Sequence, residues 1–291
     1  MPCRLILLLG LTTPALQAKE PFVPNLGPDL PSITVSSGDV TLLLRQASQW
    51  TPGRIDFRGE SMTTERSFYG TVFMFPDIGF IGTGHLENEP EDLQSLVFRM
   101  DGKRVKTPTA EMKGHTFRFE RTSRIRAFDL TNVIEIRDSR LYETATVHAN
   151  EETPLKLVYH FMHAWVPTVS AFIAGKDADP DSIVTESLRD DPDVVRKFYI
   201  NDAVDWVAVF EPVSGQFAVS RLLEAPEIGG HSSKIWNVPP TYRKFYLTSF
   251  QNQPVPKDFE GTWRMVTAFG NSAPETWQSA ARELARTLIQ P

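Results

Sequence analysis

The feature that most constrains the fold of this sequence is a long succession of short β-rich runs separated by turn residues. Many such runs follow residue 33, and residues 116–122 show the polar–apolar alternation of a half-buried strand. Asp101-Gly102 lies between two of them and is typical of a tight hairpin turn. Long helical segments do not alternate with the runs, as they would in a parallel α/β fold. The pattern therefore predicts an all-β chain that forms a large antiparallel β-sandwich.

One segment near the C-terminus, residues 274–288, has a helical period instead. Its apolar residues fall three or four positions apart. These residues are Trp277, Ala281, Leu284 and Leu288. Such a stripe predicts an amphipathic C-terminal helix that packs on the sandwich. Ser272 is a suitable N-cap, and Glu275 three residues later would complete a capping box.

The N-terminus has the features of a secretory signal peptide over residues 1–18. Arg4 supplies the positive charge, residues 5–11 form a short apolar run, and Ala18 ends a small-residue cleavage site. The apolar run is far shorter than the roughly 20 residues of a membrane-spanning helix. We therefore expect a secreted or periplasmic protein with no membrane attachment after signal cleavage. The only cysteine, Cys3, lies in this segment, so the mature protein has no disulfide and no thiolate nucleophile.

The rest of the chain divides into an arm and one domain. Residues 19–32 are rich in proline and should form an extended N-terminal arm. No internal repeat or sharp change of composition divides residues 33–291, so we expect a single sandwich domain that includes the C-terminal helix. Within it, residues 177–193 are acidic and rich in turn residues, which predicts a surface loop that carries a short helix.

Charge and aromatic content narrow the class of ligand. The formal net charge is −6, which argues against nucleic acid because its binding requires a concentrated positive surface. Six Trp, six Tyr and 19 Phe provide apolar faces that suit stacking on sugar rings. We therefore expect a sugar or a polysaccharide as the partner. Nothing in the sequence indicates an oligomeric state.

Residues 157–167 combine a strand pattern with two histidines. His160 and His163 lie among aromatic residues, and histidine is the side chain that exchanges protons near neutral pH. Strict alternation would place His163 on the same face as Tyr159 and His160 on the other face. Because His163 is closer to the strand end, we assign it as the catalytic candidate and His160 as structural. Tyr159 and Trp165 are substrate-binding candidates. In the alternative interpretation both histidines are hydrogen-bonded inside an aromatic core.

A glycine-rich segment delivers another histidine into an acidic loop. Gly79, Gly82 and Gly84 precede His85, and Glu87 follows it. A histidine close to a carboxylate can be oriented for proton transfer, so His85 is a catalytic candidate and Glu87 a substrate-binding candidate. Two potential ligands do not define a metal site, and no nucleotide-binding pattern surrounds the glycines. We therefore assign neither a metal nor a cofactor. The alternative is a solvated acidic loop whose glycines serve turns.

Two further charged residues stand in strand patterns. Glu211 ends an apolar run just before a proline, where a carboxylate is either a rim residue or a proton acceptor with a raised pKa. Further along, alternation places Arg243 on one strand face. It places Tyr242, Lys244 and Tyr246 on the other. The Arg243 guanidinium suits fork-like hydrogen bonds to a substrate carboxylate or to vicinal hydroxyls, and cross-strand packing is the alternative.

Together these features resemble the galactose mutarotase-like superfamily, which is built on a β-supersandwich. The resemblance covers roughly residues 40–212. It rests on the strand succession, on the glycine-rich approach to His85 and on the His163-Ala-Trp-Val segment. In aldose 1-epimerases of this superfamily two histidines flank the sugar ring and a glutamate serves as base. The resemblance implies that His85 binds the sugar, that His163 is the acid and that Glu211 is the base.

The leading functional hypothesis is an exported carbohydrate-active protein that performs acid/base isomerisation at a sugar anomeric carbon. It requires His85, His163 and Glu211 to converge at one cleft. Two alternatives stay open. One is a non-catalytic carbohydrate-binding module that depends on aromatic residues such as Trp165. The other is a polysaccharide lyase-like protein in which Arg243 neutralises the carboxylate of a uronate.

Overall fold

The computed structural model describes residues 27–85, 87–179, 182–190 and 198–289, with the backbone alone for residues 66–69. The predicted signal peptide and the first part of the arm lie outside these residues. Export therefore stays a prediction, which N-terminal sequencing of the mature protein would test. The division into signal peptide, arm and single domain stays a prediction as well.

Most regular structure in the described residues is β-strand. The strands in chain order are β1 (Ser32–Ser37), β2 (Val40–Arg45), β3 (Pro52–Phe57), β4 (Glu60–Ser61), β5 (Thr63–Phe75), β6 (Gly79–Gly82), β7 (Asp92–Met100), β8 (Lys103–Val105), β9 (Glu111–Gly114), β10 (Phe117–Ile125), β11 (Phe128–Arg137), β12 (Arg140–Ala149), β13 (Thr153–Pro154), β14 (Leu157–Trp165), β15 (Ala171–Gly175), β16 (Ile183–Ser187), β17 (Phe198–Asp202), β18 (Trp206–Glu211), β19 (Gln216–Glu224), β20 (Ser232–Val238), β21 (Tyr242–Ser249), β22 (Pro254–Val255) and β23 (Glu260–Asn271). A 3₁₀ turn, Gln46–Ser48, follows β2, and the helix α1 (Trp277–Thr287) follows β23. The predicted all-β class with a C-terminal helix is confirmed.

The strands form three large sheets and one short ladder. The spatial orders are β4-β3-β2-β1-β9, β16-β15-β18-β19-β23-β12-β11-β10-β7-β8, β17-β20-β21-β14-β5-β6 and, in the short ladder, β13-β22. β1 and β9 pair in parallel, whereas the ladders that build the ten-stranded and six-stranded sheets are antiparallel. The predicted antiparallel architecture is therefore correct for the two largest sheets.

The three sheets enclose one large apolar core between their inner faces. Phe73 of β5 stacks on Phe128 of β11 with 4.3 Å between ring centroids, which joins the six-stranded sheet to the ten-stranded sheet. Phe57 of β3 stacks on Phe269 of β23 at 5.4 Å and joins the five-stranded sheet to the ten-stranded one. Strands such as β10 alternate buried and partly exposed residues, because one strand face meets the core and the other does not.

The helix α1 covers the outer face of the ten-stranded sheet. Trp277 stacks on Phe210 at 5.0 Å, and Ala281, Ala285 and Leu288 complete the buried stripe. The predicted packing of the amphipathic helix on the sandwich is therefore confirmed. No helix within the described ranges is both long and apolar enough to cross a membrane.

The start of the helix differs from the prediction. The helix begins at Trp277, and Thr276 holds the N-cap position without a side-chain cap bond. A turn separates the predicted cap from the helix, since the backbone N–H of Thr276 bonds the carbonyl of Ala273. The Ser272 hydroxyl therefore reaches Thr276 Oγ1, at 2.8 Å, instead of a helical N–H. The predicted capping box of Ser272 and Glu275 is wrong.

Two other local predictions have different outcomes. Asp101 and Gly102 take φ angles of 49° and 74° and join β7 to β8, so the predicted hairpin is confirmed. The acidic residues 177–193 contain β16 instead of the expected short helix, as far as this range is described. β16 pairs only with β15 at the edge of the ten-stranded sheet, and most of its side chains are exposed. An exposed edge strand lacks the alternation that would have revealed it.

The described part of the arm packs on the sandwich. Gly27 lies so close to the Trp50 ring that an added Cβ would come within 2.4 Å of the indole nitrogen. Leu30 packs against the main core, and the carbonyl of Pro31 accepts the backbone N–H of Gln46 at 3.1 Å. Residues 27–31 therefore belong to the packed body of the protein.

Candidate functional site

The outer face of the six-stranded sheet carries an aromatic cluster with titratable side chains. Tyr159 of β14 and Tyr246 of β21 lie side by side there, with 5.3 Å between ring centroids. Phe80 of β6 extends the cluster, since its ring is 6.0 Å from that of Tyr159. We call this surface the outer-face site. Its described members are Phe80, His85, Glu87, Tyr159, Trp236, Tyr242, Lys244 and Tyr246.

Strand register explains why these side chains share one face. Tyr242, Lys244 and Tyr246 alternate along β21 with residues that point to the core, as the sequence predicts. Lys244 pairs with Trp236 on β20 at one side and with Ala164 on β14 at the other. The small Ala164 side chain leaves the Lys244 side chain room to lie across its aromatic neighbours.

His85 enters this site from the loop after β6. Gly84 turns the chain with a φ of 69°, and the His85 N–H bonds the carbonyl of Gly82 at 3.1 Å. The imidazole is only 7% exposed and lies 5.8 Å from the Phe80 ring. Its Nε2 is 4.0 Å from Glu87 Oε2, and the Glu87 side chain is 71% exposed. A buried imidazole is therefore paired with a carboxylate at the rim.

Burial decides the protonation of His85. Removal from water lowers the pKa of His85, the Lys244 ammonium lowers it further, and the Glu87 carboxylate opposes both effects. The net shift is downward, so the imidazole is neutral at pH 7 and able to accept a proton.

Lys244 lies over the aromatic rings of the site. Its ammonium is 4.9 Å from the Tyr246 ring centroid, 5.0 Å from that of Tyr159 and 5.9 Å from that of Trp236. Burial lowers the pKa of Lys244 to about 8, and the Glu87 carboxylate opposes the shift. The ammonium form therefore predominates at pH 7. Burial also raises the pKa of Tyr246 to about 12, so its phenol is neutral there.

A buried ion pair holds the loop that carries His85. Arg121 Nη2 of β10 lies 2.6 Å from Glu91 Oε1, and both side chains are almost fully buried. The same Glu91 oxygen accepts the backbone N–H of Gly84 at 3.0 Å, one residue before His85. An added Cβ at Gly84 would lie 2.4 Å from Thr51 Oγ1, so the loop sits tightly on the sandwich. Glu91 is thus not part of a solvated acidic loop, which was the alternative interpretation of this segment.

His163 does not reach the outer-face site. Its ring is fully buried between the sheets, and Nε2 lies 2.7 Å from Glu143 Oε2 of β12. Trp165 also lies in the interior and is 2% exposed. Its ring packs edge-on against the His163 ring, with 5.1 Å between the ring centroids. Neither residue can touch a ligand from this position. Glu143 also borders a small cavity of about 20 Å³ beside Arg121, large enough for about one water molecule.

A β-bulge explains why the predicted alternation fails along β14. Two residues of β14 lie between His160 and His163, whereas one residue of β21 separates their partners Leu247 and Phe245. Phe161 takes a left-handed φ of 52° at this point. The extra residue resets the alternation, so His160 and His163 both face the core. The prediction that they lie on opposite faces is wrong.

His160 has the structural role that was predicted for it. Its ring stacks on Trp263 of β23 with 4.0 Å between centroids and is fully buried. The Thr71 hydroxyl lies 3.1 Å from Nδ1, and the Ser249 hydroxyl lies 3.4 Å from Nε2. Burial lowers the pKa of His160 to about 3, which keeps the imidazole neutral inside the core.

We expect the protein to lose stability as the pH falls from 6.5 towards 3 because of His160. The histidine takes up a proton in the unfolded chain over this range but stays neutral in the folded one. The contribution of His160 to the free energy of unfolding is fully present above pH 6.5 and is smaller by about 3 kcal/mol at pH 4.5. Denaturant unfolding at the two pH values should show this slope in the wild type and a flatter one in His160→Gln. His85→Gln is the control and should keep most of the slope, whereas equal slopes in His160→Gln and the wild type would contradict the prediction.

Glu211 lies at the end of β18 in the ten-stranded sheet, away from His85. Its carboxylate accepts the backbone N–H groups of Val213 at 3.1 Å and of Ser214 at 2.7 Å, and also the Ser214 hydroxyl at 2.6 Å. Burial would raise the pKa of Glu211, but these hydrogen bonds outweigh burial and hold it below its ordinary value. The alternative of a proton acceptor with a raised pKa is therefore wrong. Glu211 caps a turn.

Arg243 points into the protein from β21. Its Nε donates to the carbonyl of Val169 at 3.0 Å, and Nη1 bonds both Asp190 and Asn237. The side chain is nearly buried, at 6% exposure. The guanidinium donors of Arg243 therefore already bond protein groups. The prediction that Arg243 binds a substrate is corrected accordingly. The lyase alternative loses the arginine on which it depended.

The fold can be compared with known proteins. No family model and no curated protein matches the sequence. Among solved structures, the chain is similar to a galactose mutarotase-like protein from Lactobacillus casei, with a TM-score of 0.50 and 8% identity over 82% of this chain and 100% of that one. The chain has the galactose mutarotase-like fold. The predicted resemblance to this superfamily and the predicted supersandwich are both confirmed.

Domains of larger proteins share this galactose mutarotase-like fold. An α-galactosidase from Lactobacillus brevis matches with a TM-score of 0.51 and 6% identity, over 83% of this chain and 40% of that chain. An α-N-acetylgalactosaminidase from Bifidobacterium bifidum matches with a TM-score of 0.51 and 10% identity, over 87% and 39% of the two chains. Identities this low show the fold alone, so any site in this galactose mutarotase-like chain must be argued from its own residues.

On this fold the predicted site residues separate into two groups. The structure brings His85, Glu87 and Tyr159 together at the outer-face site. It places the other four elsewhere, and these are His163, Trp165, Glu211 and Arg243. The predicted convergence of two histidines and Glu211 at one cleft is therefore not found.

Five members of the outer-face site were not selected as site residues from the sequence, namely Phe80, Trp236, Tyr242, Lys244 and Tyr246. The signal for Lys244 and Tyr246 was present in the alternation of β21. The sequence does not reveal the order of the strands, which places β21 between β14 and β20 and so brings these side chains together. Among the described residues no group of three or more His, Cys, Asp or Glu side chains is arranged to hold a metal ion.

Proposed function

We propose that this chain is a carbohydrate-active protein that binds a sugar at the outer-face site and uses His85 to move a proton at the anomeric carbon. The observation that carries the proposal is the convergence of a neutral imidazole with an aromatic floor on one face of the six-stranded sheet.

The surface has the two kinds of contact that a sugar ring requires. The rings of Phe80, Trp236 and Tyr242 are partly exposed and, together with Tyr246 at 8% exposure, present apolar area on which the C–H face of a pyranose can stack. The buried ring of Tyr159 supports them from below. Polar groups stand beside this floor and can bond the ring hydroxyls, namely the His85 imidazole and the Lys244 ammonium. Solved structures that share the fold include a galactose mutarotase-like protein and two sugar hydrolases by name, which supports the same ligand class here.

Replacing Tyr246 by leucine is expected to weaken binding of glucose or galactose by about tenfold, since it removes an aromatic face from the floor. Isothermal titration calorimetry measures the change. Tyr142→Leu is the matched control, because Tyr142 has a similar exposure of 9% but lies in the cluster beneath α1. Equal affinities in the wild type and Tyr246→Leu would place the sugar elsewhere, and a wild type that binds no sugar would end the proposal.

A second function, non-catalytic sugar binding, is favoured by one observation. The acid and the base that the superfamily resemblance implies, His163 and Glu211, are both committed to structural hydrogen bonds away from the site. Among the described members of the outer-face site, His85 alone remains as a proton acceptor that is neutral at pH 7. Sugar binding without faster interconversion of anomers would identify this second function.

A further inference from the structure

The described residues do not neutralise the charge of Lys244 by direct contact. Among the described residues its ammonium makes no hydrogen bond and no ion pair, and its contacts are with the rings of Tyr159, Trp236 and Tyr246. The side chain is partly buried. An ammonium has three N–H donors, so donors remain available to a ligand on this face.

A second lysine adds positive charge to the same face. Lys234 of β20 pairs with Tyr246 in the register and is 4% exposed. Its ammonium is held by the Asn201 side-chain oxygen and by the Ser232 hydroxyl at 3.3 Å. Lys234 is thus hydrogen-bonded within the protein, whereas no described residue hydrogen-bonds Lys244. The two cations share this face in a chain whose formal net charge is −6.

One described carboxylate acts on Lys244. Glu87 raises the pKa of Lys244 through its charge, against the larger opposite effect of burial. Its side chain is 71% exposed and stands at the rim beside His85. Solvent therefore screens Glu87 strongly, so the positive charge of the Lys244 ammonium is only weakly compensated by this carboxylate.

We infer that the ligand is an anionic sugar whose carboxylate or phosphate bonds the Lys244 ammonium while its ring stacks on the partly exposed rings of Trp236 and Tyr242. This inference rests on the proposed function and adds the substrate class. A charge-assisted hydrogen bond at a partly buried site is stronger than a bond between neutral groups. A neutral sugar would leave the cation without an anionic partner.

The test compares three ligands by isothermal titration calorimetry at pH 7 and low salt: glucuronate, glucose 6-phosphate and glucose. At least one anionic ligand is expected to bind about tenfold or more tightly than glucose. The carboxylate and phosphate arms show which anionic group the site prefers. Lys244→Met should bring the affinity ratio of anionic ligand to glucose close to one. Lys244→Arg should keep most of the preference, and Lys103→Met, at an exposed hairpin lysine, should keep all of it.

Two further arms separate charge from structural damage. Glu87→Gln removes a like charge, so anionic ligands should bind a few-fold more tightly while glucose gains less. Raising the pH through 8 should reduce the preference as Lys244 loses its proton. The other titratable groups on this face are His85, Glu87, Tyr159, Tyr242, Tyr246 and Lys234. His85 is neutral, and the raised pKa values keep Tyr242 and Tyr246 neutral over this range.

The outcomes distinguish this inference from the proposed function. Equal binding of glucose and both anionic sugars, or an unchanged affinity ratio in Lys244→Met, would overturn the anionic substrate class and leave sugar binding in place. Absence of binding for all three ligands would overturn both.

Discussion

Replacing His85 by alanine is expected to lower the protein-catalysed rate of anomer interconversion by about 10²–10⁴-fold, the usual contribution of a positioned general base. The expectation follows from the state of the imidazole. His85 is 7% exposed, and its pKa is lowered by burial, so it is a neutral proton acceptor at pH 7. No other described member of the outer-face site combines these properties.

The proposed reaction would use His85 together with its neighbour Glu87. In the proposed reaction the imidazole would take the proton of the anomeric hydroxyl, and that oxygen would form a double bond to the anomeric carbon. The bond from the anomeric carbon to the ring oxygen would break, and its electron pair would go to the ring oxygen, which would take a proton from water. The resulting hydroxide would take the proton back from the imidazolium. Reversal of these steps on either face of the open-chain carbonyl gives both anomers. Glu87 Oε2 lies 4.0 Å from Nε2 and would stabilise the imidazolium formed in this step.

Exchange spectroscopy by NMR measures the rate on whichever sugar the wild type binds best. His115→Ala is the control, because His115 is exposed and its backbone bonds Ser37 of β1 and Asp101 after β7, which are not part of the six-stranded sheet. Since the pKa of His85 is lowered, the wild-type rate should stay level as the pH falls through 6.5 and decline only below it. A rate in His85→Ala equal to that of the wild type would remove His85 from the chemistry. A wild type that binds sugar without accelerating exchange would favour the binding function.

The parts of the fold that were predictable from sequence are those fixed by local pattern. Asp101-Gly102 specifies its hairpin because both residues tolerate positive φ, and the stripe from Trp277 to Leu288 specifies a helix face. The edge strand β16 escaped prediction because its exposed side chains carry no alternation. The strand β6 escaped prediction because it begins at Gly79 and ends at Gly82, and Gly84 follows it. Three glycines so close together suggest turns.

The candidate site was half predictable for a related reason. His85 and Glu87 lie two residues apart, so their proximity is local. The position of His163 depends on a bulge, and one extra residue on β14 moves every later side chain to the opposite face. That bulge is defined by pairing with β21, about 80 residues further along the chain, and no property of residues 157–167 reveals it.

Replacing Arg121 by methionine is expected to lower the free energy of unfolding by about 3–5 kcal/mol, because it leaves the Glu91 carboxylate buried without its counter-ion. The two side chains are 2% and 0% exposed, so bulk solvent does not reach the carboxylate. Arg118→Met is the matched control on the same strand. Arg118 pairs with Glu120 and Glu135 at partly exposed positions, where the loss should be about 0–1 kcal/mol. Urea unfolding at pH 7 measures both, and equal losses would contradict the prediction.

The double variant Arg121→Met/Glu91→Met distinguishes two effects of the ion pair. One is the cost of leaving a buried carboxylate unpaired, and the other is the positioning of His85. Removing both ions should recover much of the stability, since apolar side chains of similar size can replace a buried pair. It also removes the oxygen that accepts the Gly84 N–H at 3.0 Å, which leaves only the longer 3.3 Å bond to Gln49 Oε1. His85 follows Gly84 directly, so its ring should be held less firmly. A double variant that is nearly as stable as Arg118→Met but slower in anomer exchange would show that the pair positions His85. Recovery of both stability and rate would show that the pair serves the fold alone.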